Sequence, residues 1–141
     1  LLEQVEAVTA ELRRRIGPTF TLSAYQEREA SYSPSWQRKF GRRAYGRFQS
    51  SSSRTFAQAR FSFSGRGVAW VAKTSRRGGR ARVYIDGRYV DTINLYSYRA
   101  VPRKVVFKRL WGSTRFHTIA IRSVASGARP RVSVDAFVVL R

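Results

Sequence analysis

Apolar and polar residues alternate most clearly in the stretch from Arg80 to Leu95, near the middle of the chain. From Ala81 to Ile85 every second residue is apolar, which is the period expected of a half-buried β-strand. Asp86-Gly87 follows, and this dipeptide tolerates the positive φ angles of a two-residue hairpin turn. A second run rich in Tyr, Val, Thr and Ile then returns to Leu95. The pattern predicts a β-hairpin.

Similar short apolar runs recur along the chain between turn residues. Strands are predicted at Thr19 to Ala24, Thr55 to Ser64, Val68 to Lys73, Arg103 to Leu110, Phe116 to Val124 and Arg131 to Leu140. The mostly apolar run from Val68 to Lys73 is expected to be covered on both faces. Turns are predicted at Gly65 to Gly67 and at Trp111 to Thr114, and Tyr25 to Ser53 is predicted to be mainly loop. About eight or nine short antiparallel strands predict an all-β sandwich or barrel.

The first 16 residues follow a different period. Apolar residues are spaced three or four apart, which predicts one face of a short helix: Leu1, Val5, Val8, Leu12 and Ile16. Gly17-Pro18 is a strong helix stop. We therefore expect a linker or docking helix over residues 1–17 and a β-domain over residues 18–141. The helix would connect to a preceding domain, dock on the sandwich, form a short coiled coil or contact an assembly partner.

The chain carries a formal net charge of +20, with 28 Lys and Arg against 8 Asp and Glu. All but four of the basic residues are arginine, whose planar guanidinium binds phosphate and carboxylate bidentately. This charge favours a polyanionic partner, either nucleic acid or an acidic polymer. The alternative interpretation is a compositional bias that places arginine on solvated strand faces. The basic residues predicted to bind a polyanion are Arg38, Arg42, Arg43, Arg76, Arg77 and Arg80.

Catalytic constellations are not found in the sequence. His117 is the single histidine and lies on an apolar strand face, which favours a structural, hydrogen-bonded role. Most glutamates fall in the predicted helix, and Asp86 is explained by the turn, so two carboxylates across a cleft are not expected. The chain has no Cys, which excludes disulfides and thiolate metal sites. No apolar run approaches the roughly 20 residues that span a bilayer. We predict a non-enzymatic protein without a transmembrane segment.

An ordered set of fragments suggests a family. The fragments are Phe61 to Gly65, Val68 to Val71, Val83 to Gly87, Thr92 to Ser97, Val105 to Phe107, His117 to Ile119 and Val134 to Phe137. In this order and spacing the chain, over roughly residues 20–140, resembles the galactose-binding-like jelly-roll modules of bacterial secreted and cell-surface proteins. These are similar to the non-catalytic carbohydrate-binding modules attached to glycoside hydrolases and peptidases. The chain departs from these modules in two ways. Its arginine content is higher than a module for neutral sugars needs, and Gly112 shifts the turn before His117 relative to related modules.

The resemblance implies a jelly-roll β-sandwich, an extracellular or cell-surface location and a glycan ligand. Sugar rings would stack on exposed aromatic side chains, for which the candidates are Trp36, Tyr45, Tyr96, Tyr98 and Trp111. For Trp36, together with Phe40, we favour the alternative that they plug an open end of the sandwich. No cofactor is expected apart from the structural Ca²⁺ that some such modules hold, for which Glu27, Glu29 and Asp135 are the candidate ligands. A polyanion-binding module and a structural assembly domain are the alternative functions.

Overall fold

The computed structural model describes residues 21–40, 48–53, 56–124 and 129–141. The predicted N-terminal helix and the domain boundary after residue 17 lie outside the described residues. The described chain is antiparallel β-structure, and a 3₁₀ turn at Glu27–Glu29 is the only helix in those four ranges. The prediction of an all-β sandwich is confirmed.

Ten strands form two sheets in the described residues. They are β1 Leu22–Gln26, β2 Ser31–Tyr32, β3 Gln37–Phe40, β4 Phe48–Ser52, β5 Gln58–Thr74, β6 Arg80–Ile85, β7 Arg88–Asn94, β8 Val101–Val124, β9 Val132–Val134 and β10 Ala136–Leu140. The larger sheet has the order β1-β10-β5-β8-β6-β7, with β2 also paired to β5, and the smaller sheet has the order β3-β4-β9. Because the hairpin strands β6 and β7 are placed beside β8, the predicted hairpin becomes one edge of the larger sheet.

One apolar cluster joins the two sheets. Val132 and Val134 of the smaller sheet pack in the same cluster as Trp70 and Phe137 of the larger sheet. The Trp70 side chain is fully buried, and its Nε1 donates a hydrogen bond to the Ser133 carbonyl at 3.2 Å. Buried aromatic side chains contribute most of the apolar area of a core. The stability of the sandwich therefore depends strongly on this contact between the sheets.

The second half of β5 is buried on both faces, as predicted for this apolar run. Val68 and Trp70 belong to the cluster between the sheets, whereas Ala69 and Val71 belong to a second cluster on the opposite face. The second cluster also contains Ala136 and Val138 of β10. Strands covered on both faces are almost continuously apolar, which explains why this part of the sequence lacks alternation.

The turns predicted at Gly65 to Gly67 and at Trp111 to Thr114 are wrong. Strands β5 and β8 both continue through these positions instead of ending there. Gly65 pairs with Arg115 and Gly67 with Leu110, so Trp111 to Thr114 form a bulge of β8 opposite Arg66 and not a turn between two strands. A Cβ atom at Gly65 would lie 2.5 Å from the Leu140 carbonyl oxygen, so glycine here allows the neighbouring strand to approach closely. Glycine in a strand interior often marks such an approach or a bulge rather than a turn.

The loop predicted from Tyr25 to Ser53 is also partly wrong, because β2, β3 and β4 lie within it. Strand β3 (Gln37–Phe40) is exposed along its whole length, so its sequence lacks the apolar alternation that would predict a strand. It is held by pairing with β4, which pairs in turn with the buried strand β9.

The turn of the β6–β7 hairpin is as predicted: Asp86 and Gly87 both have positive φ angles, 51° and 83°.

Candidate functional site

Two loops meet beside the start of β6. The loop after β5 and the loop after β7 are joined by backbone hydrogen bonds, from Ser75 N to Leu95 O at 3.1 Å and from Ser97 N to Ser75 O at 3.0 Å. Leu95 N also donates to Gly79 O at 2.8 Å. These bonds fix the two loops to each other before any ligand binds, which lowers the entropic cost of binding.

Glycine is required where the loops touch. A Cβ atom at Gly78 would lie 1.9 Å from the Leu95 carbonyl oxygen, and a Cβ atom at Gly79 would lie 2.4 Å from the Arg129 carbonyl oxygen. Both contacts are with backbone atoms, which cannot rotate away as a side chain can. Gly78 thus allows the loop after β5 to approach the loop after β7, and Gly79 allows it to approach the segment before β9.

Tyrosine and arginine side chains lie together on the surface of these two loops and of the segment before β9, which carries Arg129. We call the group Arg76, Arg77, Tyr96, Tyr98 and Arg129 the loop site. The Arg76 guanidinium lies 4.0 Å from the centre of the Tyr98 ring, and its Nε donates to the Tyr98 carbonyl at 2.9 Å. The Arg129 guanidinium lies 4.9 Å from the Tyr96 ring centre. Tyr98 is 67% exposed and Tyr96 42% exposed, so both rings reach solvent.

The loop site brings together residues that the sequence assigned to two different ligands. Tyr96 and Tyr98 are candidates for sugar stacking, and Arg76 and Arg77 are candidates for polyanion binding. Arg80, the next candidate along the chain, is exposed at the first position of β6 beside these loops. Tyr45, Arg42 and Arg43 lie outside the described residues.

The two tryptophan candidates lie elsewhere and are engaged in packing. Trp36 is half-buried, stacks at a tilt on Tyr32 with 5.0 Å between ring centres, and packs on the core, as the plug hypothesis expects. Phe40 is 62% exposed, so its assignment as a plug is wrong. The Trp111 ring lies parallel to the His117 ring, with 4.0 Å between the ring centres. One face of Trp111 is therefore covered within the protein.

The candidate metal ligands do not converge in the described residues. Glu27 is buried, and its carboxylate accepts hydrogen bonds from Arg38 Nε at 2.9 Å and Ser50 Oγ at 3.1 Å. Glu29 is exposed and lies 3.9 Å from Arg28, whereas Asp135 is buried between β9 and β10. Within the described ranges no three His, Cys, Asp or Glu side chains are grouped so as to hold a metal ion. Calcium binding stays a prediction, and so does anion binding by Arg38, whose side chain is 45% exposed although its guanidinium already pairs with Glu27.

The interior around Glu27 also affects a tyrosine. The Tyr32 hydroxyl donates to the Glu27 carbonyl oxygen. Burial of Tyr32 and, to a lesser extent, the nearby Glu27 carboxylate raise the pKa of its hydroxyl, although a hydrogen bond with Ser50 opposes them. Tyr32 therefore remains a neutral donor throughout the physiological range of pH.

A second surface, which the sequence analysis missed, covers the outer face of β5, β8, β6 and β7. Its residues, which we call the sheet face, are Gln58, Arg60, Arg82, Tyr84, Tyr89, Thr92, Thr118 and Arg122. They line two open, adjoining grooves of about 640 and 410 Å³ that share Tyr84. Each residue is the polar member of an alternating strand, so its exposure was predictable. Their convergence was not, because it depends on how four strands are ordered.

Asp86 closes one end of this groove. Its Oδ2 accepts a hydrogen bond from His117 Nδ1 at 2.6 Å, and its Oδ1 accepts one from Thr118 N at 2.9 Å. Partial desolvation raises the pKa of the Asp86 carboxyl, but the hydrogen bonds and the His117 charge outweigh it, so the pKa lies below the ordinary value of 3.8. His117 is 7% exposed and hydrogen-bonded, as its position on an apolar strand face predicted.

Replacing Asp86 by asparagine should reveal the contribution of this carboxylate through its pH dependence. Asparagine also tolerates positive φ, so the turn should persist in Asp86→Asn. Because the folded-state pKa is depressed, the stabilisation is present above about pH 4 and is lost as the pH falls through the folded-state pKa. Urea unfolding from pH 3 to pH 7 should show a wild-type advantage that shrinks towards pH 3. A difference that does not vary with pH would contradict this assignment.

The fold is that of carbohydrate-binding modules. The chain matches a native family 35 carbohydrate binding module from Clostridium thermocellum with a TM-score of 0.58 and 13% identity, covering 85% of this chain and 97% of that one. It matches the CBM36-1 domain of a multidomain xylanase from the hindgut metagenome of Trinervitermes trinervoides with a TM-score of 0.53 and 9% identity, covering 84% and 95%. These matches confirm the predicted jelly-roll module fold. The chain matches no protein-family model and no curated protein.

Longer proteins that act on glycans contain the same fold as a part. A two-domain esterase active on acetylated mannans, crystallised with mannopentaose, matches with a TM-score of 0.65 and 11% identity, over 85% of this chain and 36% of that one. The chain spans 27% of the Agl-KA catalytic domain. In the described residues, no helix has the length and apolar character needed to cross a membrane.

Proposed function

We propose that the protein is a non-catalytic carbohydrate-binding module that acts at the cell surface or outside the cell and takes its glycan at the loop site. A sugar ring would stack on the exposed Tyr98 ring, and the guanidinium groups of Arg76 and Arg77 would bind its hydroxyl or carboxylate oxygens. The matches to carbohydrate-binding modules support the ligand class. The proposal is carried by one observation, the convergence of Tyr98, Tyr96 and two predicted arginines on loops fixed by backbone hydrogen bonds.

Binding without catalysis follows from the chemistry of the same loops. The loop site contains cationic and aromatic side chains, none of which supplies a carboxylate for general acid or base catalysis of glycoside hydrolysis. The single histidine lies elsewhere, bonded to Asp86 and stacked on Trp111. Arginine and tyrosine suit recognition, because guanidinium donors match paired oxygen acceptors and phenol rings give flat apolar contact.

Removal of the Tyr98 ring should weaken glycan binding. Tyr98→Ala should lower the affinity for a glycan identified on a glycan array about tenfold, equivalent to about 1.4 kcal/mol, because one stacking surface is lost. Phe116→Ala is the matched control, since Phe116 is also a largely exposed aromatic residue (71% exposed) but lies on β8, outside the loop site. Isothermal titration calorimetry would give both affinities.

Two outcomes would oppose the proposal. An array carrying neutral and acidic glycans that shows no binding at all would remove the ligand class. Equal losses of glycan affinity in Tyr98→Ala and Phe116→Ala would exclude the loop site as the binding site, since the effect would then not depend on which exposed ring is deleted.

A further inference from the structure

The sheet face holds three arginines on three neighbouring strands, in two rows set by the strand register. Gln58 of β5, Arg122 of β8, Arg82 of β6 and Thr92 of β7 face one another in the first row. Arg60 of β5, Ala120 of β8, Tyr84 of β6 and Tyr89 of β7 form the second. Since strands lie about 4.8 Å apart, the three guanidinium groups start from positions spread over roughly 10 Å across the sheet.

These charges are not balanced within the part of the chain that the structure describes. In the described residues, Glu27 pairs with Arg38, Glu29 with Arg28 and Asp86 with His117, and none of these carboxylates pairs with a sheet-face arginine. Asp86, the one carboxylate that lines the groove, is engaged with His117 and Thr118. Like charges placed directly opposite on neighbouring strands, as Arg82 and Arg122 are, destabilise a sheet. The close approach of Arg82 and Arg122 therefore costs stability, and a bound anion would relieve that cost.

The surface is also held in position without a ligand. Arg122 donates from its guanidinium to Gln58 Oε1 at 3.2 Å and lies over the Tyr84 ring at 5.3 Å. Tyr84 meets Tyr89 edge-on with 6.0 Å between ring centres, and the Tyr89 hydroxyl bonds with Thr92 Oγ1 at 2.7 Å. An arginine that is already oriented loses less entropy when it binds an anion.

We propose that the sheet face is a second binding site, distinct from the loop site, for a polyanionic polysaccharide whose carboxylate or sulfate groups pair with Arg60, Arg82 and Arg122. The polar neighbours Gln58, Thr92 and Thr118 offer both donors and acceptors, which suit the hydroxyl groups between the anionic groups of such a chain. A nucleic acid fits less well: Arg122 and Tyr89 already contact the Tyr84 ring, which leaves Tyr89, 57% exposed, as the one sheet-face ring open for a base to stack on. This site shares its ligand class with the proposed function but none of its residues.

The test compares two triple variants of the whole chain with equal loss of charge. The first, Arg60→Gln, Arg82→Gln and Arg122→Gln, removes the sheet-face cations. The second, Arg28→Gln, Arg109→Gln and Arg115→Gln, removes three exposed arginines that lie off this face. Affinity for polygalacturonate, dextran sulfate and neutral dextran is measured by calorimetry at low salt and at about 0.5 M salt, where the electrostatic contribution is screened.

The first variant should lose at least 30-fold in affinity for polygalacturonate, dextran sulfate or both, and the control variant less than threefold. The probe that binds identifies the carboxylate or the sulfate as the recognised group. The first variant should also melt at the same or a higher temperature than the wild type, because a like-charge contact is relieved. A merely structural role for these arginines predicts a lower melting temperature.

Several results would overturn the inference. Equal losses in both triple variants would mean diffuse attraction by the net charge. If neither acidic polymer binds, a polysaccharide is excluded as the ligand. It is also excluded if a single-stranded oligonucleotide binds more tightly than the polymers and only the first variant loses that binding. Loss of acidic-polymer binding in Tyr98→Ala but not in the first variant would place the ligand at the loop site. If Tyr98→Ala binds every glycan normally while the first variant fails, the proposed function at the loop site is wrong and this inference stands.

Discussion

Gly78→Ala should lower the free energy of unfolding by about 3 kcal/mol or more and abolish glycan binding at the loop site. The added methyl group would lie 1.9 Å from the Leu95 carbonyl oxygen, and neither backbone can move without breaking hydrogen bonds between the two loops. The loop that carries Arg76 and Arg77 would then separate from the loop that carries Tyr96 and Tyr98. Urea unfolding followed by circular dichroism measures the first effect, and calorimetric titration of the glycan measures the second.

Gly112→Ala is the matched control for this substitution. Gly112 lies within β8, and a Cβ atom there would meet no atom within 4 Å. Alanine is favoured over glycine in a strand, so this variant should be unchanged or more stable by about 0.5 kcal/mol. If both variants lose the same stability, the close contact at Gly78 is not what makes that glycine necessary.

Trp70→Ala should cost about 4 kcal/mol of unfolding free energy, which is most of the stability of a domain at the low end of the usual range of about 5–15 kcal/mol. Trp70 is fully buried in the cluster that joins the sheets, and its indole donates a hydrogen bond to the carbonyl of Ser133 in β9. The substitution therefore leaves a large cavity and an unpaired buried carbonyl. Thermal and urea unfolding would give the loss.

Trp70→Phe separates the two contributions. Phenylalanine keeps most of the apolar volume but leaves the Ser133 carbonyl without its donor, so we expect a smaller cost of about 1 to 3 kcal/mol. A loss in Trp70→Phe as large as that in Trp70→Ala would show that the hydrogen bond, and not the packed volume, holds β9 against β5.

The sequence identified both loop-site tyrosines as candidates, but it did not predict which residues would lie next to them. The sequence marks Tyr96 and Tyr98 as exposed aromatics and Arg76 and Arg77 as a basic loop about 20 residues away. The structure makes them neighbours because Ser75 pairs with Tyr96 in an isolated bridge. Trp111 shows the reverse: its position in the sequence suggests a surface turn, whereas its ring stacks on His117.

Period-two alternation and turn residues determined that this protein is an all-β sandwich or barrel, that Asp86-Gly87 turns a hairpin and that His117 faces inward. These properties depend on residues adjacent in the chain, which a pattern of apolar and polar positions records. The tertiary structure decided that Gly65 and Gly67 lie inside a long strand, and that β5, β8, β6 and β7 bring Arg60, Arg122 and Arg82 onto one surface. Strand order depends on contacts between residues distant in sequence, and local alternation carries no information about which strands become neighbours.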